Sequence, residues 1–233
     1  MKRALGRLMM VLALLMGLGV VVNCGGGGGD DGSGGSYQVR SEQAFAEGVG
    51  SIFRTVSEID RDSGPTGQVW EVSLTRYTVH GEGAGPITTT LQHPLFPSTL
   101  WDTWTSEWRD TKTGQVVDTE SEMVTAVNGN SLTITDDTGH ERYYEIMKDP
   151  EGRIYVVMTG GTGSSFDPPV VVIPPDLTPG ATYNGGGYQL TITGFGSYTC
   201  TSYTVQTLSD PGLTVPAGTF DAFRFIRDES WLD

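Results

Sequence analysis

Three textures of apolar and polar positions follow one another along the chain. Leu8 to Val22 is an uncharged apolar run behind Lys2, Arg3 and Arg7, too short for a comfortable membrane span. Residues 41–61 carry Phe45, Val49, Ile52, Phe53, Val56 and Ile59 at three-to-four-residue spacing, the period of a helix with one apolar face. Ser41 stands where an N-cap would, Glu42 and Glu47 suit the positive end of the dipole, and Gly64-Pro65 supplies the stop. Gly48 and Gly50 weaken that helix. From Gln68 onward the pattern turns to β-branched and aromatic runs separated by turn residues.

The β part can be followed strand by strand. Val69–His80 and Pro86–Gln92 have strand composition, and His93-Pro94-Leu95-Phe96-Pro97 breaks the pattern. Strand character resumes from Trp104, turns at Asp110–Gly114, and continues through Gln115–Val127. Asn128-Gly129-Asn130, Asp136–Gly139 and Asp149–Gly152 all supply residues that tolerate turn dihedrals. Residues 160–169 read as a loop, followed by the short run Val170–Ile173 and then by Tyr188–Thr193, Tyr198–Leu208 and Phe220–Arg227. The spacing predicts a mainly β fold, an antiparallel meander or half-barrel-like sheet with one N-terminal amphipathic helix packed on it. A soft boundary divides a helix-plus-meander part, 37–160, from a C-terminal β part, 161–233, continuous with the preceding sheet.

The positive start and apolar core of residues 1–22 have the layout of a secretion signal. Cys24 closes the run, and Gly25–Gly29 follow. An apolar run ending in a cysteine and a glycine tract resembles the lipobox of bacterial lipoproteins. Asn23 and Val21 stand where that family usually has a small residue and Leu. The resemblance implies that residues 1–23 are a signal peptide cut ahead of Cys24, whose sulfur carries a diacylglycerol and whose new amino group takes a further acyl chain such as palmitate. Several chains anchor stably where one alone is reversible. The partner so implied is a membrane, held through the lipid. Gly25, in place of an aspartate, favours the outer membrane by the same resemblance. Residues 24–36 then form a glycine-rich tether, and a flexible chain of that length reaches on the order of 20 Å. A simple cleaved signal and an uncleaved anchor helix are the alternatives.

Charge and cysteine count narrow the picture. The formal net charge is −14. Removing residues 1–23 takes away Lys2, Arg3 and Arg7 and no acid, so 11 basic residues would face 28 acidic ones, a charge of −17. Such a chain is repelled by nucleic acid. There are two cysteines. If Cys24 carries lipid, Cys200 has no disulfide partner; if not, a Cys24–Cys200 bridge competes.

A second resemblance covers about the last 60 residues. Tyr203-Thr-Val205 followed by Leu213-Thr-Val-Pro-Ala-Gly-Thr-Phe-Asp-Ala-Phe-Arg-Phe225 looks like a hairpin common in uncharacterised bacterial envelope lipoproteins, with Pro174-Pro175 and Gly180 in the expected order upstream. It implies that Pro216 and Gly218 turn one strand into the next. In that family another aromatic-glycine hairpin usually follows; here the sequence ends at Trp231-Leu-Asp233.

Catalytic motifs are scarce. His80, His93 and His140 lie in no ligand spacing with one another. His140-Glu141 lacks the second histidine of a zinc-protease helix. Asp137-Thr138-Gly139 lacks the apolar flanks of an aspartic protease and reads as a hairpin turn. Gly160-Gly161-Thr162-Gly163 has no phosphate-loop lysine, and no G-x-S-x-G elbow occurs. Asp60, Asp62 and Glu71 fit a calcium loop poorly, since Pro65 replaces its glycine. Cys200 reads as a small buried residue.

Two groups stand out. Trp101, Trp104 and Trp108 would be core, or a platform on which flat ligands stack. Asp118, Glu120 and Glu122 share one strand face, with Glu107 nearby, and form either a solvated outer face or a carboxylate site. The reading that follows is a lipid-anchored, non-catalytic envelope protein that binds an apolar ligand or another envelope protein, without cofactor or metal. The alternatives are an envelope hydrolase using strand-borne carboxylates and a purely structural surface lipoprotein.

Overall fold

The computed structural model describes residues 20–23, 36–60, 64–80 and 87–232, with the backbone alone for 20–23, 58–60 and 64–65. The strands are β1 (Val20–Asn23), β2 (Ser36–Ala46), β3 (Gly50–Asp60), β4 (Gly64–Thr78), β5 (Thr103–Asp110), β6 (Val116–Asn128), β7 (Ser131–Asp136), β8 (Glu141–Lys148), β9 (Ile154–Gly161), β10 (Ser164–Ile173), β11 (Thr182–Gly185), β12 (Tyr188–Ile192), β13 (Gly196–Val215) and β14 (Gly218–Leu232). Twelve of them form a closed antiparallel barrel in the order β3-β2-β14-β13-β12-β10-β9-β8-β7-β6-β5-β4, with β4 returning to β3. Closure leaves no free edge along most of the wall, which is how an all-antiparallel fold avoids open pairing. β11 pairs with β13 outside the ring, and β1 runs parallel to the end of β3, from Ser57 to Asp60.

The helix predicted over 41–61 is not formed: residues 41–60 are the end of β2, a turn and β3. Two glycines decide it. Gly48 and Gly50 take φ of +69° and +97°, a conformation that reverses the chain and that glycine adopts without steric cost. On either side the inward positions alternate. Val39, Ser41 and Phe45 on β2 and Ile52 and Val56 on β3 are buried. Residues at 45, 49, 52 and 56 satisfy a helical period and also two short strands separated by a turn, and β-branched Val49, Ile52, Thr55 and Val56 favour the second. The sheet is also more closed than a half-barrel, because β2 finds β14 across most of the sequence.

Alternation sorts the wall into two surfaces. Leu132, Ile134, Tyr144, Ile146, Leu190 and Val205 point inward. Outward positions on β5 to β8 are polar to a large degree, among them Thr105, Glu107, Thr119, Ser121, Thr133 and Glu145. A barrel that crosses a bilayer shows the opposite, an apolar belt outside.

Meander topology puts alternate connections at opposite ends. One end holds the start of β2 and the end of β14. The other holds the turn 47–49, the β13–β14 turn at Pro216-Ala217, and the long connection between β4 and β5. That connection folds down as a cap. Leu95 and Phe96 are buried, the Phe96 and Tyr144 rings lie 5.1 Å apart, and the Gly48 N–H donates to the Pro94 carbonyl at 2.9 Å. β2 and β3 pair only from Gln43 to Ala46. Just beyond, the Glu42 N–H donates to the Thr55 hydroxyl at 2.9 Å instead of to a strand carbonyl.

Candidate functional site

Two groups of ionisable side chains lie inside the wall, and a third lines the capped mouth. The first inner group joins β3, β5, β6 and β8. Glu120 is buried and accepts from Trp108 Nε1 at 2.9 Å and from Arg54 Nη2 at 3.1 Å. Glu122 accepts from Arg142 Nη2, which also reaches Glu120 at 3.5 Å. The Arg54 guanidinium lies over the Trp108 ring at 5.4 Å. Burial, reinforced by neighbouring Glu122, lifts Glu120 to about 8. Burial alone would also lift Glu122, but Arg142 and Arg54 outweigh it and hold Glu122 at about 2. Two adjacent carboxyl groups pushed apart in this way share a proton more readily than they both ionise. The arginines occupy the positions from which a substrate would have to approach, and the adjoining cavity measures about 50 Å³.

The second inner group sits on β12, β13 and β14. Glu229, 2% exposed, accepts from Tyr188 Oη at 2.9 Å and Trp231 Nε1 at 3.2 Å, with Arg227 Nη1 at 3.5 Å. Arg227 stacks on the Tyr203 ring at 4.8 Å and donates to the Val171 carbonyl. Burial raises Glu229, and burial followed by the Glu229 charge raises Tyr188 well above its usual range. Cys200 is buried and unbridged, and burial lifts its thiol to about 11, so it is a packing residue and not a nucleophile.

The mouth differs in having room. A pocket of about 240 Å³ opens on the cap, lined by Glu47, Gln92, His93, Ser98, Thr99 and Asp102 among others. His93 is buried, which lowers it to about 4, and its Nδ1 accepts from the Leu95 N–H at 3.2 Å. The ring is therefore neutral with its proton on Nε2. Asp102, 1% exposed, takes the His80 N–H at 2.8 Å and His80 Nδ1 at 3.0 Å on one oxygen and the Thr99 N–H at 3.0 Å on the other. Thr89 and Ser98 share a hydroxyl bond of 2.6 Å. Trp101 adopts φ +74°, rare for a residue with a side chain, and its N–H donates to the Val124 carbonyl at 2.9 Å. Strain of this kind collects where a loop is fixed for a purpose.

The sequence candidates separate accordingly. Trp104 and Trp108 are core, and Trp104 Nε1 donates to the Val49 carbonyl at 2.6 Å; Trp101 alone is exposed, at 54%. Asp118, Glu120 and Glu122 do share a parity, but Glu120 and Glu122 face the interior instead of solvent, while Asp118 is exposed and Glu107 pairs outward with Arg109 at 3.4 Å. Asp136 closes its hairpin by accepting from the Thr138 N–H at 2.8 Å and the His140 N–H at 3.0 Å. Cys24, the tether up to residue 35 and Asp62 lie outside the described residues. Sequence reasoning passed over His80, His93 and Asp102; the His93–Pro97 break inside a strand-rich chain was the signal, since a long ordered connection in a compact domain is usually functional.

Taken together, these features define a closed twelve-strand antiparallel β-barrel with a largely polar outer wall, a filled interior and a capped mouth whose lining mixes polar groups with Pro94, Phe96 and Pro97. No family model, curated protein or solved structure matches the chain.

Proposed function

We propose that this chain is a lipid-anchored cell-envelope binding protein, non-catalytic, whose ligand sits at the capped mouth and not in the barrel core. The observation that carries the reading is the contrast in free space: about 240 Å³ at the mouth against about 50 and about 20 Å³ in two cavities among the inward residues. A cavity of the smaller sizes holds a water or two, far from the ~300–1,000 Å³ of a ligand pocket. The ligand in this reading is small, of the bulk of a single sugar ring or an amino acid, with an apolar face against Pro94, Phe96 and Pro97 and polar groups toward the rest of the lining. His93 Nε2–H offers a donor, Gln92, Ser98 and Thr99 offer both donors and acceptors, and Glu47 an anionic acceptor. Phe96, in the lining, offers an aromatic surface. The polar outer wall suits a body held beside a membrane by a modified Cys24, with the outer membrane favoured, and not one inserted in it.

Saturation-transfer NMR with a panel of monosaccharides and amino acids tests the binding. At least one compound binds, and Gln92→Ala or Ser98→Ala weakens it several-fold; a panel without a hit, or a hit indifferent to both variants, defeats the reading. Intact-mass measurement of the mature N-terminus tests the anchor, with an unmodified Cys24 counting against it.

A hydrolase is the second reading, favoured by one observation: Glu120 and Glu122 do meet, with their affinities for protons split. It requires that substrate displace Arg54 or Arg142. Hydrolysis lost in both Glu120→Gln and Glu122→Gln would favour it.

A further inference from the structure

The notch where β2 and β3 part holds a feature that neither the mouth nor the carboxylate pair explains. Arg54 and Arg227 approach this notch from opposite sides of β2, facing its inward residues: Arg54 is the cross-strand partner of Gln43, and Arg227 that of Ser41. Both arginines line one cavity of about 20 Å³, bordered also by Ser41 and Thr55. Each carries a buried N–H group without a hydrogen-bond partner, Arg54 Nε and Arg227 Nη1. The Arg227 side chain is 7% exposed and that of Arg54 11%. Buried donors of this kind are rare and call for a partner.

The carboxylates that neutralise these arginines lie elsewhere. Glu120 and Glu122 hold the Nη2 end of Arg54, and Glu229 stands 3.5 Å from Arg227 Nη1 without hydrogen-bond geometry. Glu42 is the one acid lining the cavity, and its Oε2 accepts from Arg224 at 2.9 Å. The cavity lining thus combines two guanidinium groups with one carboxylate, Glu42, that is turned to Arg224, while Glu229 lies outside the lining. Thr55 Oγ1 already accepts the Glu42 N–H, so its own proton is free to donate. Stacking of Arg54 on Trp108 and of Arg227 on Tyr203 fixes both forks in place.

We propose that the notch between β2 and β3 binds one small monovalent anion of chloride size, held by Arg54 Nε, Arg227 Nη1 and the hydroxyls of Ser41 and Thr55. The volume admits a single atom of that size and excludes sulfate or phosphate. The anion would also tie β2 to β3 where strand pairing stops. Raised proton affinity at Glu120 and Glu229 acts in the same direction, since each protonated carboxyl leaves its arginine less neutralised.

Diffraction from crystals of the full chain grown with bromide in place of chloride is the test, together with melting curves in sodium chloride, bromide, gluconate and sulfate at equal ionic strength. An anomalous peak within contact distance of Arg54 Nε and Arg227 Nη1, with saturable stabilisation by chloride and bromide but not gluconate or sulfate, is the expected result. Ser41→Ala should raise the half-saturating bromide concentration several-fold. A water at the site in bromide-grown crystals, or a melting temperature that follows ionic strength whatever the anion, overturns the proposal.

Discussion

The barrel interior and its capped mouth both gather polar side chains, but they use them oppositely. Inside, each of three buried glutamates is matched to an arginine or to an aromatic donor: Glu120 to Trp108 and Arg54, Glu122 to Arg142, Glu229 to Tyr188 and Trp231. At the mouth, Asp102 spends its oxygens on fixing His80 and Thr99, while His93 is held neutral beside open volume. Matched groups in a filled space build a wall; fixed groups around an empty space leave room for a ligand. The difference teaches that the strongest proton-affinity shifts in this molecule mark its struts, and that the candidate site is set apart by free space lined with fixed polar groups.

The largest expected effect breaks a strut. Arg142→Met leaves Glu122 buried without its main counter-charge and should cost about 3–5 kcal/mol, the usual penalty for an orphaned buried charge. Urea unfolding measures it, and adding Glu122→Gln should restore much of the loss. Trp108→Phe removes one donor from Glu120 and should cost about 1–3 kcal/mol. Neither change should alter ligand binding at the mouth if the two regions are as separate as their geometry shows.

Acid–base behaviour sharpens the same contrast. Glu120 is raised to about 8 in the fold, so the native state holds a proton that the unfolded chain has lost, and stability falls as pH rises from the ordinary glutamate range through about 8. His93 is lowered to about 4, so the unfolded chain binds the extra proton, and stability rises with pH from about 4 to the ordinary histidine range. Glu120→Gln should flatten the fall and His93→Gln the rise, each read from unfolding free energy against pH. The smallest effect is expected at Trp101→Gly, which relieves the left-handed backbone and should change stability by no more than about 1 kcal/mol.

How much of this was legible in the sequence depended on range. The hairpins at Gly129, Gly139 and Gly152 were readable because turn chemistry is local. The parity of Asp118, Glu120 and Glu122 was also readable, since alternation fixes which residues share a face. It does not fix which face is inside; that depended on Arg142 and Arg54, the latter 66 residues from Glu120. The 41–61 segment misled because its apolar spacing satisfied two periods, and Gly48 and Gly50 were weighed as flaws in a helix instead of as the turn. Closure of the ring between β2 and β14 left no local mark. The mouth announced itself as a proline-rich break, without showing that His80, His93 and Asp102 converge there.

The account's central claim is that ligand enters the mouth and leaves the interior untouched. Amide and side-chain shifts of the isotope-labelled chain, recorded while a compound selected from the panel is added, test it most directly. Saturable shifts at Glu47, Gln92–Ser98 and Asp102, with the Trp108 indole signal unmoved, are the predicted result. Shifts centred on Trp108, Arg54 and Arg142, with the cap silent, would contradict it.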